Sequence, residues 1–534
     1  MYVVEIPNRS SPPAILLRES FRENGKVKNR TLLNLSSWPK GRIEAFRRVL
    51  RGELDFSSLP DPTSGPVFGL LHALKQVAAD LGIPAALGQH KLGKLALLLV
   101  LARVAHQGSR LSTLRWARDH AVAETLGLAA FDEDDLYDAL DDLHTRQEKI
   151  EKALWRNYRS RCGTPPALFL YDVTSSYLEG EHNALGEFGY NRDGKRGKLQ
   201  IVVGLLADAS GEPLAVRVFA GNTGDPSTVA AQIEILTKQF AIADVVFVGD
   251  RGMVKSAGKR ALAEAGLRYV SALTDPQIRT LLARKTLQLE LFAEQICEVE
   301  ADGLRYVLRK NPDEARRVQY RYQDKLAKLR GKIDQRNEYV EKSTRAKPEA
   351  GLSALRQWLA RHKLAGLIDL RLDGRRIVDS LHREAETRTL ELAGCYVIVT
   401  NVDAGNLTGE QVHESYMALQ KVERDFRTMK TGLLEVRPVF VRKESRTRGH
   451  VFCCLLALKL VRELERRLTG ALGKTDANPY AVTVADALAA LSRLTLLAYP
   501  LDNGSSVMRL PKPDQAQLAI LEALKVAMPV SPNL

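Results

Sequence analysis

Two apolar runs in the chain end on an aspartate, LFLYD at Asp172 and VVFVGD at Asp250, and a charged helical pattern further on carries Glu423. Read singly, each has an ordinary explanation. An aspartate after a strand forms turns, and Glu423 with Arg427 four residues on is an exposed helical pair contributing roughly 0.2–0.5 kcal/mol. Asp172, however, runs directly into VTSSY and so sits inside a continuing strand. Ligand sites in open α/β sheets gather at the carboxyl ends of strands. Three carboxylates converging there suit Mg2+, which takes hard oxygen ligands and keeps water or phosphate in its remaining positions. Two such ions about 3.5–4 Å apart activate an attacking oxygen and stabilise the leaving one in phosphodiester cleavage. Neutral or cationic side chains would not offset the metal charge.

The elements that must position these acids are legible in outline. In ESYMALQKVERDFRTMKT, Leu419, Val422, Phe426 and Met429 recur at helical spacing and define a packed face. Tyr416, Glu423 and Lys430 are spaced by seven and form a stripe beside it. With metal held by the three acids, the nearby cations Arg251, Lys421, Arg427 and Lys430 would face the phosphates of a nucleic-acid substrate such as DNA. ALFLYDVTSSYLE, KLQIVVGLLADA and EPLAVRVFAG read as successive strands, followed by a helix, VVFVGD, a second helix and RYVSALT. A strand meander followed by helix–strand alternation implies a mixed α/β sheet with a parallel portion.

The alternation stops near 276, and residues 276–390 are charged, with a basic helical stretch at 314–342; this reads as an inserted subdomain whose charge suits either DNA contact or a solvated arm. The sheet pattern resumes with CYVIVTNVD, a helix over about 409–431 and a strongly apolar helix over 451–468. At the N-terminus, AILLRESFRENGKVKNRTLLNL is a hairpin signal around Asn-Gly, followed by a basic helix and a loop-like segment at 54–66. Residues 67–160 are helical and rich in Ala and Leu. The expected organisation is a hairpin and basic helix (1–62), a helical domain (63–160), a core in two parts (161–275 and 391–470) around the insertion (276–390), and a helical tail (471–534).

Composition narrows the function classes. With 534 residues, several domains are expected, and the formal charge of +14 and pI near 9.4 point to nucleic acid or another anionic partner. The five cysteines form no CxxC pair and mostly sit in apolar runs, as buried thiols in a reducing compartment do. The most apolar run, from Leu95, is broken by Arg103 and is far short of the ~20 residues of a membrane span. The start lacks the order of a signal peptide, so a cytoplasmic protein is expected. No Gly-Lys-Ser/Thr follows GNTGDPST, no GxSxG surrounds Ser175, and Thr174 stands where an aspartyl phosphatase would carry its second aspartate. Asp225 reads as a helix cap, and Asp193 and Asp208 as turn residues.

The segments YDVTSSYLEG, GYNRDGKRGKLQIVVGLLADASGEPLAVRVFAGNTGDPST, VFVGDRGM, RYVSAL and YMALQKVERDFRTMKTGLLEVRPVFVRKESRTRGHVFCCLLAL resemble the DDE transposases of bacterial insertion sequences, in the group with a Tyr-Arg-Glu-Lys signature. The resemblance implies an RNase H-like core interrupted by an insertion, with an N-terminal hairpin and helical region that bind transposon ends. It assigns the three acids to Asp172, Asp250 and Glu423, holding two Mg2+ with Mn2+ as substitute. The signature tyrosine and lysine fall on Tyr416 and Lys430 as DNA contacts, while Leu419 stands where the family has arginine. The implied partners are double-stranded DNA, at element ends and target, and a second copy in a homodimer, with no membrane. The rival readings are a nuclease of the same fold without strand transfer and a non-catalytic DNA-binding descendant.

Overall fold

The structure is a computed structural model and describes residues 1–8, 12–52, 62–163, 166–242, 245–251, 253, 256–430, 434, 436–437, 439–474, 481–500 and 506–529. The chain divides into two units. The smaller comprises Met1–Gly65, Thr495–Lys512 and Pro529–Leu534; the larger comprises Pro66–Leu494 and Pro513–Met528.

In the smaller unit, Tyr2–Ile6, Ala14–Glu23 and Lys26–Asn34 form an antiparallel sheet. Its hairpin turns at Asn24-Gly25, both at positive φ (50° and 76°), the conformation that Asn-Gly adopts with least strain. The helix Lys40–Leu50 contributes Ile43 to a small core with Leu17 and Leu35. Two strands, Thr495–Pro500 and Ser506–Arg509, join Thr63–Val67 in a second sheet. The tail is therefore not helical throughout: among the described residues beyond Gly473, helix is confined to Val484–Ser492 and Gln515–Ala523. Most of the segment read as a linker at 54–66 lies outside the described residues, and its last part is strand. Pairing between segments more than 400 residues apart leaves no local periodicity to read.

The larger unit is built on an eight-stranded mixed sheet. Its strands are β1 (Leu168–Tyr177), β2 (Gln200–Asp208), β3 (Pro213–Ala220), β4 (Val246–Gly249), β5 (Arg268–Ala272), β6 (Cys297–Ala301), β7 (Leu304–Lys310) and β8 (Cys395–Thr400). The spatial order is β6-β7-β8-β5-β4-β1-β2-β3. β1, β2 and β3 form an antiparallel meander, β4 lies parallel to both β1 and β5, and β8 returns antiparallel to β5. Residues 297–310, read from their charge as part of the insertion, instead add a hairpin to the sheet's far edge.

Both faces of the sheet are covered, and alternate side chains serve opposite cores. Leu170, Val203 and Val248 join one cluster, whereas Phe169, Tyr171, Val202 and Phe247 join the other. Helices of this unit include α1 (Glu133–Thr145), α2 (Gln147–Cys162), α3 (Asp225–Glu234), α4 (Pro312–Lys342), α5 (Gly409–Met417) and α6 (Leu419–Lys430). A seventh, α7 (Glu444–Leu472), runs through the first core and is almost wholly buried from Thr447 to Leu464. α4 packs with Pro348–Arg361 and the hairpin Ile368–Asp373/Arg376–Leu381 around a separate apolar cluster of Tyr322, Leu326, Leu329, Leu355 and Ile368. The helix expected over 409–431 is interrupted at Ala418, giving α5 and α6. Among the described residues, no helix is long and apolar enough to cross a membrane.

Candidate active site

The parallel ladder between β1 and β4 ends at the pair Tyr171↔Gly249. The next residues on the two strands are Asp172 and Asp250, so the register alone sets the two aspartates side by side, on strands roughly 4.8 Å apart. Asp172 still pairs with Leu205 of β2 and is fixed within β1. It lies on the same side of the strand as Leu170, two residues earlier, the side that joins the cluster shared with α6 and α7. α6 packs across β1 with Leu419, Val422, Phe426 and Met429 buried, the four positions whose spacing marked the packed face. Glu423 projects beside that face and stays exposed. Asp172, Asp250 and Glu423 then line one open cleft of about 430 Å3, with Thr174, Arg192, Asp193, Phe426, Arg427, Lys430 and Arg437.

Among the described residues, none of the three acids forms an ion pair. Burial pushes the Asp172 carboxyl up to about 7; its own Val173 N–H, donating at 2.7 Å, opposes this, while the negative charges of Asp250 and Glu423 add to it. Like charges crowded in a half-buried site disfavour ionisation in this way. Asp250 accepts a hydrogen bond from the Tyr416 hydroxyl at 3.0 Å, and burial followed by the Asp250 charge raises that phenol above its ordinary value. Ser271 donates to the Asp250 main-chain carbonyl at 3.2 Å, which ties the turn after β4 to β5. Among the described residues no three His, Cys, Asp or Glu side chains stand close enough to enclose one metal ion.

The other end of the cleft is cationic and internally paired. Asp193, whose side chain is 2% exposed, accepts from Lys430 at 2.7 Å and Arg437 at 2.6 Å through one oxygen, and its second oxygen has no hydrogen-bond partner among the described residues. Burial pulls the Lys430 ammonium below its usual value, against the pull of Asp193. Arg192 pairs with Asp225 at 2.5 Å. Asp225 is thus an ion-pair partner at the first turn of α3, while Gly224 occupies the cap position. Asp208 does hold a turn, accepting from the Ser210 and Glu212 N–H groups at 2.9 and 2.8 Å.

The remaining sequence-assigned cations diverge. Arg427 lines the cleft beside Lys430. Lys421 instead donates to the Ala209 carbonyl at 2.6 Å, on the β2–β3 turn, and Arg251 turns to Asp275 at 3.3 Å. Leu419, in place of the family's arginine, is buried. Arg192 and Arg437 were not singled out in the sequence, and Asp193 was read as a turn residue: NRDG is a run of turn formers, and nothing local distinguishes a buried carboxylate from an ordinary turn aspartate. Of the five free thiols, Cys395, Cys453 and Cys454 are buried, whereas Cys162 is exposed.

The transposase DDE domain model matches residues 163–460, more than half of the chain and the whole of this cleft. The chain belongs to that family and is a DDE transposase, an enzyme acting on DNA. Residues 4–62 match the N-terminal domain of IS1634 family transposases, which places it among the transposases of bacterial insertion sequences. No curated protein matches the chain. Among solved structures, it is similar to piggyBac transposase in a synaptic complex with hairpin DNA, at 10% identity and TM-score 0.38 over 81% of each chain. It is also similar to Mos1 transposase in a paired-end complex with the left transposon end, at 12% identity and TM-score 0.15, over 30% of this chain and 58% of that one. With scores this low, family membership rests on the two family models.

Proposed function

We propose that this cleft cleaves DNA at the inverted-repeat ends of an insertion sequence and joins the freed 3′-hydroxyl to target DNA, with Asp172, Asp250 and Glu423 as ligands of two Mg2+ ions. The observation that carries the reading is three carboxylates from β1, the end of β4 and α6 lining one cleft with no ion-pair partner among the described residues. The donor set fits: three hard oxygen donors, with Asp172 pushed up to about 7 by burial and acidic neighbours. Bound there, divalent ions supply activation of the attacking oxygen and stabilisation of the leaving one. The strand order β3-β2-β1-β4-β5, antiparallel then parallel, supports an RNase H-like core.

In this reading β1 and β4 hold the two aspartates at neighbouring register, and Tyr416 orients the Asp250 carboxylate. Arg427, Lys430 and Arg437 draw the scissile phosphate towards the acids. Arg251 and Lys421, turned to Asp275 and Ala209, contact DNA only after giving up those partners. Water attacks phosphorus in the cleavage step and the DNA 3′-hydroxyl in the joining step, each in line with the leaving oxygen, so no bond to the protein forms. The hairpin unit and the helices of 63–160 recognise the ends, and two copies hold a pair of ends together. The free thiols support a cytoplasmic setting.

The test is Mg2+-dependent nicking of end DNA by Asp172→Asn, Asp250→Asn and Glu423→Gln. Each loses roughly 10²-fold or more of the cleavage rate, the scale of removing one electrostatic anchor. Wild-type activity retained by any of them sinks the assignment. Joining of the 3′-end to a target plasmid in the same reaction separates a transposase from a nuclease of this fold.

A further inference from the structure

The loop from β1 to β2 presents two aromatic rings to solvent beside the cleft. Phe188 is 66% exposed and Tyr190 is 80% exposed. Exposed rings usually belong to a pliable segment, but this backbone is held. Glu187 and Gln200 exchange main-chain hydrogen bonds at 3.2 and 3.1 Å. The Gln200 side chain donates to the carbonyls of Tyr190 at 3.2 Å and Gly221 at 2.8 Å. The Arg192 N–H donates to Ser175 at 2.9 Å, and the Gly221 N–H to Leu185 at 3.0 Å. Gly189, between the rings, lies so close to the 220s that an added Cβ would stand 2.1 Å from the Gly221 carbonyl oxygen. The backbone is thus pinned on either side of two aromatics whose burial is forgone.

Their surroundings specify an occupant. The Arg192 guanidinium, which lines the cleft, lies 5.4 Å from the Tyr190 ring centroid. Lys195, Arg196 and Lys198 follow on the same loop. A third exposed ring, Phe440 at 68%, follows the Leu178↔Val439 bridge at the base of the loop. Rigid exposed aromatics among cations are the elements from which proteins build stacking platforms for unpaired bases, whose phosphates the cations bind. We propose that Phe188 and Tyr190 stack on unpaired bases of the DNA strand whose phosphate enters the carboxylate cleft. This rests on the cleft being the site of DNA cleavage.

The experiment uses full-length Asp172→Asn protein, so that DNA stays uncut, with two probes: a blunt duplex and the same duplex carrying a short single-stranded extension with 2-aminopurine. Adding Phe188→Ala and Tyr190→Ala weakens binding of the extended probe by roughly 5- to 150-fold per base lost from stacking, equivalent to the 1–3 kcal/mol of base–aromatic contacts. Blunt-duplex affinity changes less than about twofold, 2-aminopurine quenching disappears, and Tyr190→Trp restores both. Both rings are exposed, so the thermal midpoint stays put. An alanine variant that binds the extended probe as tightly as its parent, with quenching retained, overturns the proposal. So does a change in oligomeric mass without a change in extended-probe binding, which marks the rings as a contact between copies. Wild-type protein that binds and quenches the extended probe but fails to cleave in Mg2+ keeps the platform and rejects the catalytic reading instead.

Discussion

At one end of the cleft Asp172, Asp250 and Glu423 face one another without an ion-pair partner among the described residues, while at the other end Asp193 holds Lys430 at 2.7 Å and Arg437 at 2.6 Å. The contrast recurs along α6 itself. Glu423 is exposed at the cleft, and Asp425, two residues on, is fully buried against Arg462 of α7, 2.6 Å from its Nε. Burial pushes both Asp172 and Asp425 up, to about 7 and about 6, but only Asp425 has a guanidinium opposing the shift in direct contact. A fold stabilises a buried carboxylate by giving it a cation or accepts a cost for leaving it without one. Carboxylates left without one and open to solvent mark where an outside charge belongs.

The sharpest way to break this comparison is to exchange the two kinds of acid. Asp172→Asn, Asp250→Asn and Glu423→Gln abolish cleavage without lowering stability. Asp172→Asn raises the thermal midpoint of metal-free protein at pH 8, because it removes a charge that burial and two acidic neighbours oppose. Next in size, Asp425→Ala leaves Arg462 buried with Glu465 and Thr428 as its remaining contacts, and costs about 3 kcal/mol of stability. Its denaturation midpoint drops accordingly, while cleavage per folded molecule is largely kept. A neutral effect of Asp425→Ala on stability, or a large loss in Asp172→Asn, erases the distinction.

How much of this the sequence disclosed follows from the range of the forces involved. The strands and α6 were legible because their burial imposes a period of two or of 3.6 on adjacent residues. Asp172 stood out by sitting inside a strand, and Glu423 by its place beside a packed face. Asp193 was not legible, because its partners lie 237 and 244 residues away and its own neighbours are turn formers. Lys421 and Arg251 read as DNA contacts by sign and position, yet the nearest acceptors, Ala209 and Asp275, come from other elements. In the β6–β7 hairpin, β6 was hidden in the charged segment because an edge strand is solvated and loses the apolar run of a central one, and β7 is short and flanked by charged residues. The strands of the tail pair with Thr63–Val67 across most of the chain, beyond the reach of local pattern.

A smaller effect tests the acidic end from the ligand side. Mg2+ or Mn2+ at ten times its dissociation constant stabilises the protein by about 1.4 kcal/mol, read as a rise in thermal midpoint that chelator reverses. Asp172→Asn loses the rise and Asp425→Asn keeps it. The pH dependence has a defined sign. In metal-free protein the folded Asp172 carboxyl, at about 7, keeps its proton where the unfolded chain, near its ordinary 3.8, has lost it. The stability it contributes is fully present below pH 4 and is lost as the pH rises through 7. Metal requires the ionised form, so its stabilising effect grows across that interval. A metal-induced shift that is flat with pH removes Asp172 from the ligand set.

The smallest effect is expected at the cationic end, where Asp193 already offsets part of the charge of Lys430 and Arg437. Asp193→Asn keeps the shape and an acceptor for Lys430 and Arg437 but releases one unit of positive charge into the cleft. DNA affinity at low salt then rises, and the slope of log affinity against log salt steepens by about 0.9, one additional phosphate neutralised on duplex DNA. Cleavage falls at the same time, because Lys430 and Arg437 no longer share a fixed anchor and the phosphate is held less well in line with the acids. Asp193→Glu, which restores the charge on a longer arm, returns the salt slope without fully returning the rate. An unchanged slope in Asp193→Asn means that DNA does not reach Lys430 and Arg437, and the cationic end is then structural, like the Asp425–Arg462 pair behind it.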